Sequence, residues 1–270
     1  MEDGSQMLWA LALGVLVFMT VVMVGAWAYG LRVRNGGWTD VFWTFGTGFA
    51  LAAAALYPAE PGVMPQARQW LVAGLATLWA LRLGGYLTPR VAAHEDPRYA
   101  KFRQDWGRDY ARNMLFVTLP QAPATALLAL SVIPAAHTPG PIGPRDVLGV
   151  AILAMAILGE GLADAQMKAF RAVPSSKGRV CDTGLWGWSR HPNYFFEWFG
   201  WLAYPVIALD PGQPLTWVSL TAPVVMFILL TRVSGVPPLE EAMLRSRGDA
   251  YRDYQARVSP FFPLPPKAAR

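Results

Sequence analysis

Charge is scarce in this sequence. Only 15% of its 270 residues are charged, while 54% are hydrophobic. A soluble domain ordinarily carries about a quarter charged residues, so an ordinary water-soluble fold is excluded. Cysteine is nearly absent. A lone thiol, Cys181, forbids an internal disulfide and any cysteine-built zinc site. The three histidines, His94, His137 and His191, stand far apart without metal-ligand spacing, so no metal is expected. There is no P-loop, nucleophile elbow, HExxH, internal repeat or low-complexity tract. Gly159-Glu160-Gly161 begins like a dinucleotide fingerprint, but Asp164 stands where the third glycine belongs and no strand precedes it. The Rossmann reading fails on that context. The N-terminus, Met1–Gln6, is acidic rather than basic. The apolar run behind it lacks a small-residue cleavage site, so it reads as a permanent helix and not a signal peptide.

What is present is a series of long apolar runs. A spanning helix needs about 20 mostly apolar residues. The runs that qualify are Met7–Leu31, Thr39–Tyr57, Trp70–Leu87, Leu115–Ala136, Val147–Phe170, Tyr194–Leu209 and Leu215–Val233. They predict an all-α polytopic membrane protein with seven transmembrane helices. A barrel is excluded because the runs are too long and too continuously apolar. With the N-terminus outside and the C-terminus cytoplasmic, every lysine and arginine falls on a cytoplasmic segment except Arg68, Arg145 and Arg82, the last within a span. Basic loops mark the cytoplasmic side, so the net charge of +5 records orientation and not nucleic-acid binding. The Pro-rich stretch from Ile133 to Pro144 reads as a loop. Leu239–Val258 reads as an amphipathic helix on the cytoplasmic surface, interrupted at Gly248. Residues 1–270 are expected to form a single integral membrane domain.

Ionisable groups inside the spans form stripes. Glu160, Asp164, Lys168 and Arg171 share a helical face. Arg82, Tyr86 and Arg90 share another, Asn193 and Glu197 a third, and Asp40 lies at the start of the second span. Such residues serve as helix–helix contacts or snorkel to the interface. They also line polar cavities, and three faces opening toward the same side predict one cavity entered from the cytoplasm. Two loops adjoin it, Glu95-Asp96-Pro97-Arg98-Tyr99 and Ser189-Arg190-His191-Pro192-Asn193-Tyr194. Pro192 suits the first turn of a helix, which would place Arg190 and His191 beside a helix N-terminus, where phosphate binds well. A plain helix cap with orientation-setting arginines is the alternative. Tyr99, Tyr194, Tyr251 and Tyr254 are interface anchors or ring-stacking partners.

The segment from Gly184-Leu185-Trp186-Gly187-Trp188-Ser189-Arg190-His191-Pro192-Asn193-Tyr194 to Phe195-Phe196-Glu197-Trp198-Phe199-Gly200 resembles the core signature of the steroid 5α-reductase family, in its bacterial branch. So do the Glu95–Tyr99 motif and the ending Tyr251-Arg252-Asp253-Tyr254 with Pro260-Phe261-Phe262-Pro263. That superfamily also contains sterol reductases and isoprenylcysteine carboxyl methyltransferases. The resemblance implies an NADPH-dependent reductase of the Δ4 double bond of a 3-oxo steroid or similar enone lipid. It implies a bacterial inner-membrane location with the active site facing the cytoplasm. The family's cofactor site maps onto Asp164, Arg171, Arg179, Asn193 and Glu197, with Arg98, Tyr99, Arg190, His191, Tyr194 and Tyr254 in the same regions. The family's catalytic pair is a Glu after a Gln in the second span and a Tyr in the third. This sequence has no such Gln-Glu pair, and Asp40 and Tyr86 are the nearest groups of the right type.

Such a reaction adds hydride to the β-carbon and a proton to the α-carbon. Charge builds on the carbonyl oxygen, which needs a donor in a dry site, and a buried carboxylic acid or a phenol can supply it. The substrate would be a hydrophobic small molecule entering from the bilayer, with membrane lipid around it and no nucleic acid involved. A membrane methyltransferase using S-adenosylmethionine shares the Arg-His-Pro motif and is the competing expectation. A transporter requires a polar path through both leaflets, which these spans lack.

Overall fold

The computed structural model describes residues 2–58 and 62–267. Among these residues twelve α-helices follow one another, joined in places by 3-10 turns: α1 (Glu2–Val33), α2 (Trp38–Leu56), α3 (Ala67–Ala93), α4 (Pro97–Trp106), α5 (Tyr110–Thr118), α6 (Gln121–His137), α7 (Pro144–Ala172), α8 (Pro192–Gly200), α9 (Ala203–Ala208), α10 (Thr221–Ile228), α11 (Val236–Arg247) and α12 (Asp249–Arg257). Among the described residues there is no strand, only an isolated bridge from Ser189 to Ser259. Six helical stretches among the described residues are long and apolar enough to cross a membrane. They are α1, α2, α3, the stretch Pro97–His137, α7 and the stretch Pro214–Arg247.

Prolines decide where long runs break. The expected span Tyr194–Leu209 is two short helices, α8 and α9, separated at Trp201–Leu202. Pro205 has no N–H for the Trp201 carbonyl, and its ring crowds that carbonyl. In the same way Pro120 separates α5 from α6. After α10 the chain widens into a π turn over Leu229–Val233.

The chain divides into two compact units, the first Met1–Gly149 with Tyr204–Ala222 and the second Val150–Ala203 with Pro223–Arg270. In the first unit α2 lies against α1, α3 and α6. Small residues permit the approach: a Cβ on Gly48 would strike Ala80, and one on Gly84 would strike the Phe45 ring. Polar links cross between the helices, with Thr47 Oγ1 3.0 Å from Thr125 Oγ1 and Trp43 Nε1 donating to the same oxygen at 3.0 Å.

One end of this unit is tied by Arg68, which is only 8% exposed. Its Nε and Nη2 donate to the two Asp146 oxygens at 2.7 and 2.8 Å. Nη1 reaches the carbonyls of Thr138 (2.6 Å), Pro139 (3.2 Å) and Gly140 (3.0 Å), and Nη2 that of Pro141 (2.6 Å). The Pro-rich loop is thus wrapped around a single guanidinium. Its carbonyls have no helix to satisfy them, and the arginine supplies the donors.

In the second unit an aromatic cluster of Phe195, Trp198, Phe227, Phe261 and Phe262 joins α8, α10 and the C-terminal segment, with ring centroids 5.3–6.1 Å apart. The Phe196 ring lies on Gly159 of α7. The amphipathic stretch near the C-terminus forms two helices joined at Gly248, whose φ of +54° suits glycine.

Candidate functional site

The second unit builds its site from α7 outward. Gln166 Oε1 on α7 accepts from the Leu185 N–H at 2.9 Å, and the Ala163 carbonyl accepts from Trp186 Nε1 at 3.0 Å. These contacts seat the 3-10 turn Gly184–Gly187, which Gly184 enters at φ +59°. The next residues are held by the C-terminus. Arg190 N–H donates to the Ser259 carbonyl at 2.8 Å, Ser189 Oγ to Phe261 O at 2.7 Å, and Tyr254 Oη to Trp186 O at 2.5 Å. Pro192 then opens α8, with His191 as the flanking residue.

At that opening lies a buried charge cluster. Glu240 Oε1 accepts from Arg190 Nε at 2.6 Å, lies 3.3 Å from His191 Nε2 and accepts from Tyr251 Oη at 3.4 Å. Its other oxygen accepts from Gln255 Nε2 at 2.8 Å. Arg190 Nη1 donates to the carbonyls of Gln255 (3.2 Å) and Val258 (2.7 Å). The His191 ring stacks on Tyr194 with centroids 5.8 Å apart. Arg190, His191, Tyr194 and Tyr254 are therefore brought together. The Arg190 guanidinium, expected to meet phosphate, has these partners of its own. Glu240 is the residue that sequence reasoning missed. It lies 50 positions from Arg190, and only the need of a buried arginine for a counter-charge could have pointed to it.

The remaining predicted residues of this unit have different surroundings. On α8, Asn193 is half-buried and Glu197 is buried, with Glu197 Oε1 accepting from Trp201 Nε1 at 3.0 Å. On α7, Asp164 is half-buried and Arg171 exposed, and Arg179 is exposed in the loop beyond. Lys168 and Lys177 are exposed as well. Among the described residues no carboxylate pairs with Lys168, Arg171, Lys177 or Arg179. Cys181 is buried, and that burial raises its thiol, assisted by Asp182 and opposed by bonds from Thr183 and the charge of Arg171.

Burial also pushes the Tyr251 and Tyr254 phenols well above the ordinary tyrosine value. The Glu240 charge adds to the first shift and neighbouring Tyr251 to the second. Their neutral forms are favoured in the folded state. The stability this gives is intact below the unfolded tyrosine value of about 10 and is lost as pH rises beyond it. An alkaline melt should lose stability above that pH, and Tyr251→Phe and Tyr254→Phe should blunt the loss. A melt equally steep in both variants would show that these phenols are not the cause.

The first unit has its own charged cluster at the end opposite Arg68. Asn35 Nδ2 donates to Val91 O at 2.8 Å, and Gly36 N–H to Glu95 Oε1 at 2.6 Å, fixing the α1–α2 turn. Asp40, in the first turn of α2, accepts from Tyr99 Oη at 2.7 Å and from Arg98 Nη2 at 3.1 Å. Asp96 caps α4 by accepting from the Arg98 N–H, and it pairs with Arg90 (2.6 Å) and Arg98 Nε (3.1 Å). Burial alone would raise the Asp96 carboxyl, but the Arg98 and Arg90 guanidiniums and the Arg98 N–H outweigh it and hold it below the usual carboxylate value. Asp40, Arg98 and Tyr99 are thus one network, in which Asp40 acts as an acceptor. Tyr86 lies outside it on α3, 41% exposed, with the Arg82 guanidinium 5.7 Å from its ring centre.

The family model described as "Protein of unknown function (DUF1295)" matches residues 26–258. The chain belongs to that family. The match runs from the last third of α1 past the end of α12 and takes in both charged clusters. No curated protein and no solved structure matches the chain.

Proposed function

We propose that this DUF1295 member is an NADPH-dependent membrane reductase of an enone lipid, such as a Δ4-3-oxo steroid, of the steroid 5α-reductase kind. The observation that carries the reading is that four exposed cations close together in sequence, Lys168 and Arg171 at the end of α7 and Lys177 and Arg179 in the loop beyond, lack carboxylate partners among the described residues. NADPH is rich in phosphate and suits such a group, whereas S-adenosylmethionine has no phosphate and carries a positive sulfur. Arg171 and Arg179 would hold the phosphates. Asn193, at the start of α8, and Asp164 would take the cofactor's hydroxyl and amide groups. When bound, the dihydronicotinamide supplies the hydride. Glu240 and Arg190 hold the His191 turn in place at the start of α8. The seven-span topology, with the N-terminus outside, the C-terminus cytoplasmic and the segment around Trp201 as a broken sixth crossing, belongs to the same proposal. The basic residues support it by falling on one set of connections.

The test is direct. Purified protein incubated with NADPH and a Δ4-3-keto steroid should consume the nicotinamide absorbance. Binding of S-adenosylmethionine with NADPH left untouched would overturn the reading. Arg171→Ala and Asn193→Ala should each weaken NADPH binding by about tenfold to a hundredfold, the loss of one charge-assisted contact of about 1.5–3 kcal/mol. Unchanged affinity in both variants would remove this site from consideration.

A further inference from the structure

The Arg68 end of the first unit holds a cavity of about 380 Å³ that the reductase reading does not use. Its floor is apolar and buried, made by Leu8 of α1, Ile133 of α6 and Ala208 of α9. Its rim is polar, with Arg145 at the start of α7 and Asp210 and Gln213 in the turn after α9. The size and the apolar floor with few polar groups are those of a small-ligand pocket. The shape is held by Arg68, which fixes the carbonyls of Thr138 and Pro139 on the cavity wall. His137 also belongs to the wall. Its ring nitrogens face the carbonyls of Ile133 (2.9 Å) and Tyr57 (3.0 Å).

The rim carries one positive and one negative group that are not paired with each other. Arg145 donates to the Leu209 carbonyl at 2.7 Å and meets no carboxylate among the described residues. Asp210 accepts from Gly212 N–H at 3.0 Å and Gln213 Nε2 at 3.3 Å and meets no cation among them. A ligand with separate positive and negative ends satisfies both. The surroundings fix its class. The cavity begins at Gly4, Met7 and Leu8, where the first apolar span starts. Trp9, Trp70 and Trp217, all at this end of the unit, are exposed over half of their surface or more. Exposed tryptophans of this kind sit at the level of lipid headgroups.

We propose that this cavity seats the headgroup of a zwitterionic phospholipid with a free ammonium. The phosphodiester lies against Arg145, the ammonium donates to Asp210, and the glycerol end rests on Leu8, Ile133 and Ala208. Charge-assisted hydrogen bonds give the selectivity, because a choline headgroup has no N–H to donate and a glycerol headgroup has no cation.

The full chain in detergent, incubated with equal amounts of ethanolamine, choline and glycerol phospholipids, should retain a single ethanolamine lipid by native mass spectrometry. Its preference over the other two should be about tenfold, the factor equivalent to one polar contact. Asp210→Asn keeps an amide oxygen for the Gly212 N–H, so the turn survives, but the preference for ethanolamine should disappear. Arg145→Gln should lower retention of all three lipids, with thermal melts confirming that both variants fold. Equal retention of the three headgroups by the unaltered chain, a preference for the anionic lipid, no retained lipid, or an unchanged preference in Asp210→Asn would each overturn the proposal. None of these outcomes depends on NADPH.

Discussion

Arg68→Ala should destabilise the first unit by about 3–5 kcal/mol, the cost of leaving one member of a buried ion pair behind. Arg68 is 8% exposed and Asp146 2%. Its removal strands the carboxylate and also strips donors from the carbonyls of Thr138, Pro139, Gly140 and Pro141. Arg68→Lys should fall between alanine and the original, because an ammonium can pair with Asp146 but cannot form the same planar fork. Thermal unfolding in detergent measures the cost, and protease cutting between Thr138 and Gly143 locates it. An alanine variant within about 0.5 kcal/mol of the original, the range of an ordinary surface change, would mean that water replaces the arginine without penalty.

Arg190→Ala should have an effect of similar size on the second unit, about 3–5 kcal/mol by the same reasoning. Arg190 is 9% exposed, and it joins Glu240 of α11 to the carbonyls of Gln255 and Val258 at the end of α12. Losing it leaves Glu240 with neutral donors from Gln255 and Tyr251 beside His191. Residues 236–257 should then become open to protease at temperatures where the rest of the chain resists. Glu240→Gln should cost less, since an amide oxygen still accepts from Arg190 Nε. In the double variant Arg190→Ala with Glu240→Ala the losses should fall short of the sum, because the second change removes the stranded charge. Strict additivity would show that the two side chains do not act as a pair.

The membrane-embedded helical architecture was legible because apolar runs of this length have few other uses in a protein. Where the runs break was less legible. Summed apolarity reads straight through Pro120 and Pro205, although a single missing N–H and a crowded carbonyl are enough to end a helix. The clusters were legible only in part. Arg98 and Tyr99 were singled out from their motif and Asp40 from its place at the start of the second span and its chemical type, but their meeting, across 58 and 59 positions, leaves no trace in local spacing. The same distance problem hid Glu240 from Arg190. Arg68 was hidden for another reason. Read as a mark of orientation, a basic residue outside the cytoplasmic set carries no sign that a proline-rich loop will close on it.

The buried thiol of Cys181 has a practical consequence. Thiol reagents attack the thiolate, and a shielded sulfur whose ionisation is suppressed offers little of it. Because no other cysteine exists in the chain, new ones can be introduced one at a time without first removing the native residue. Each would be labelled from one side of the membrane against a nearly dark background. The chain as it stands is thus ready for mapping which connections face which compartment, the feature on which the seven-span orientation depends.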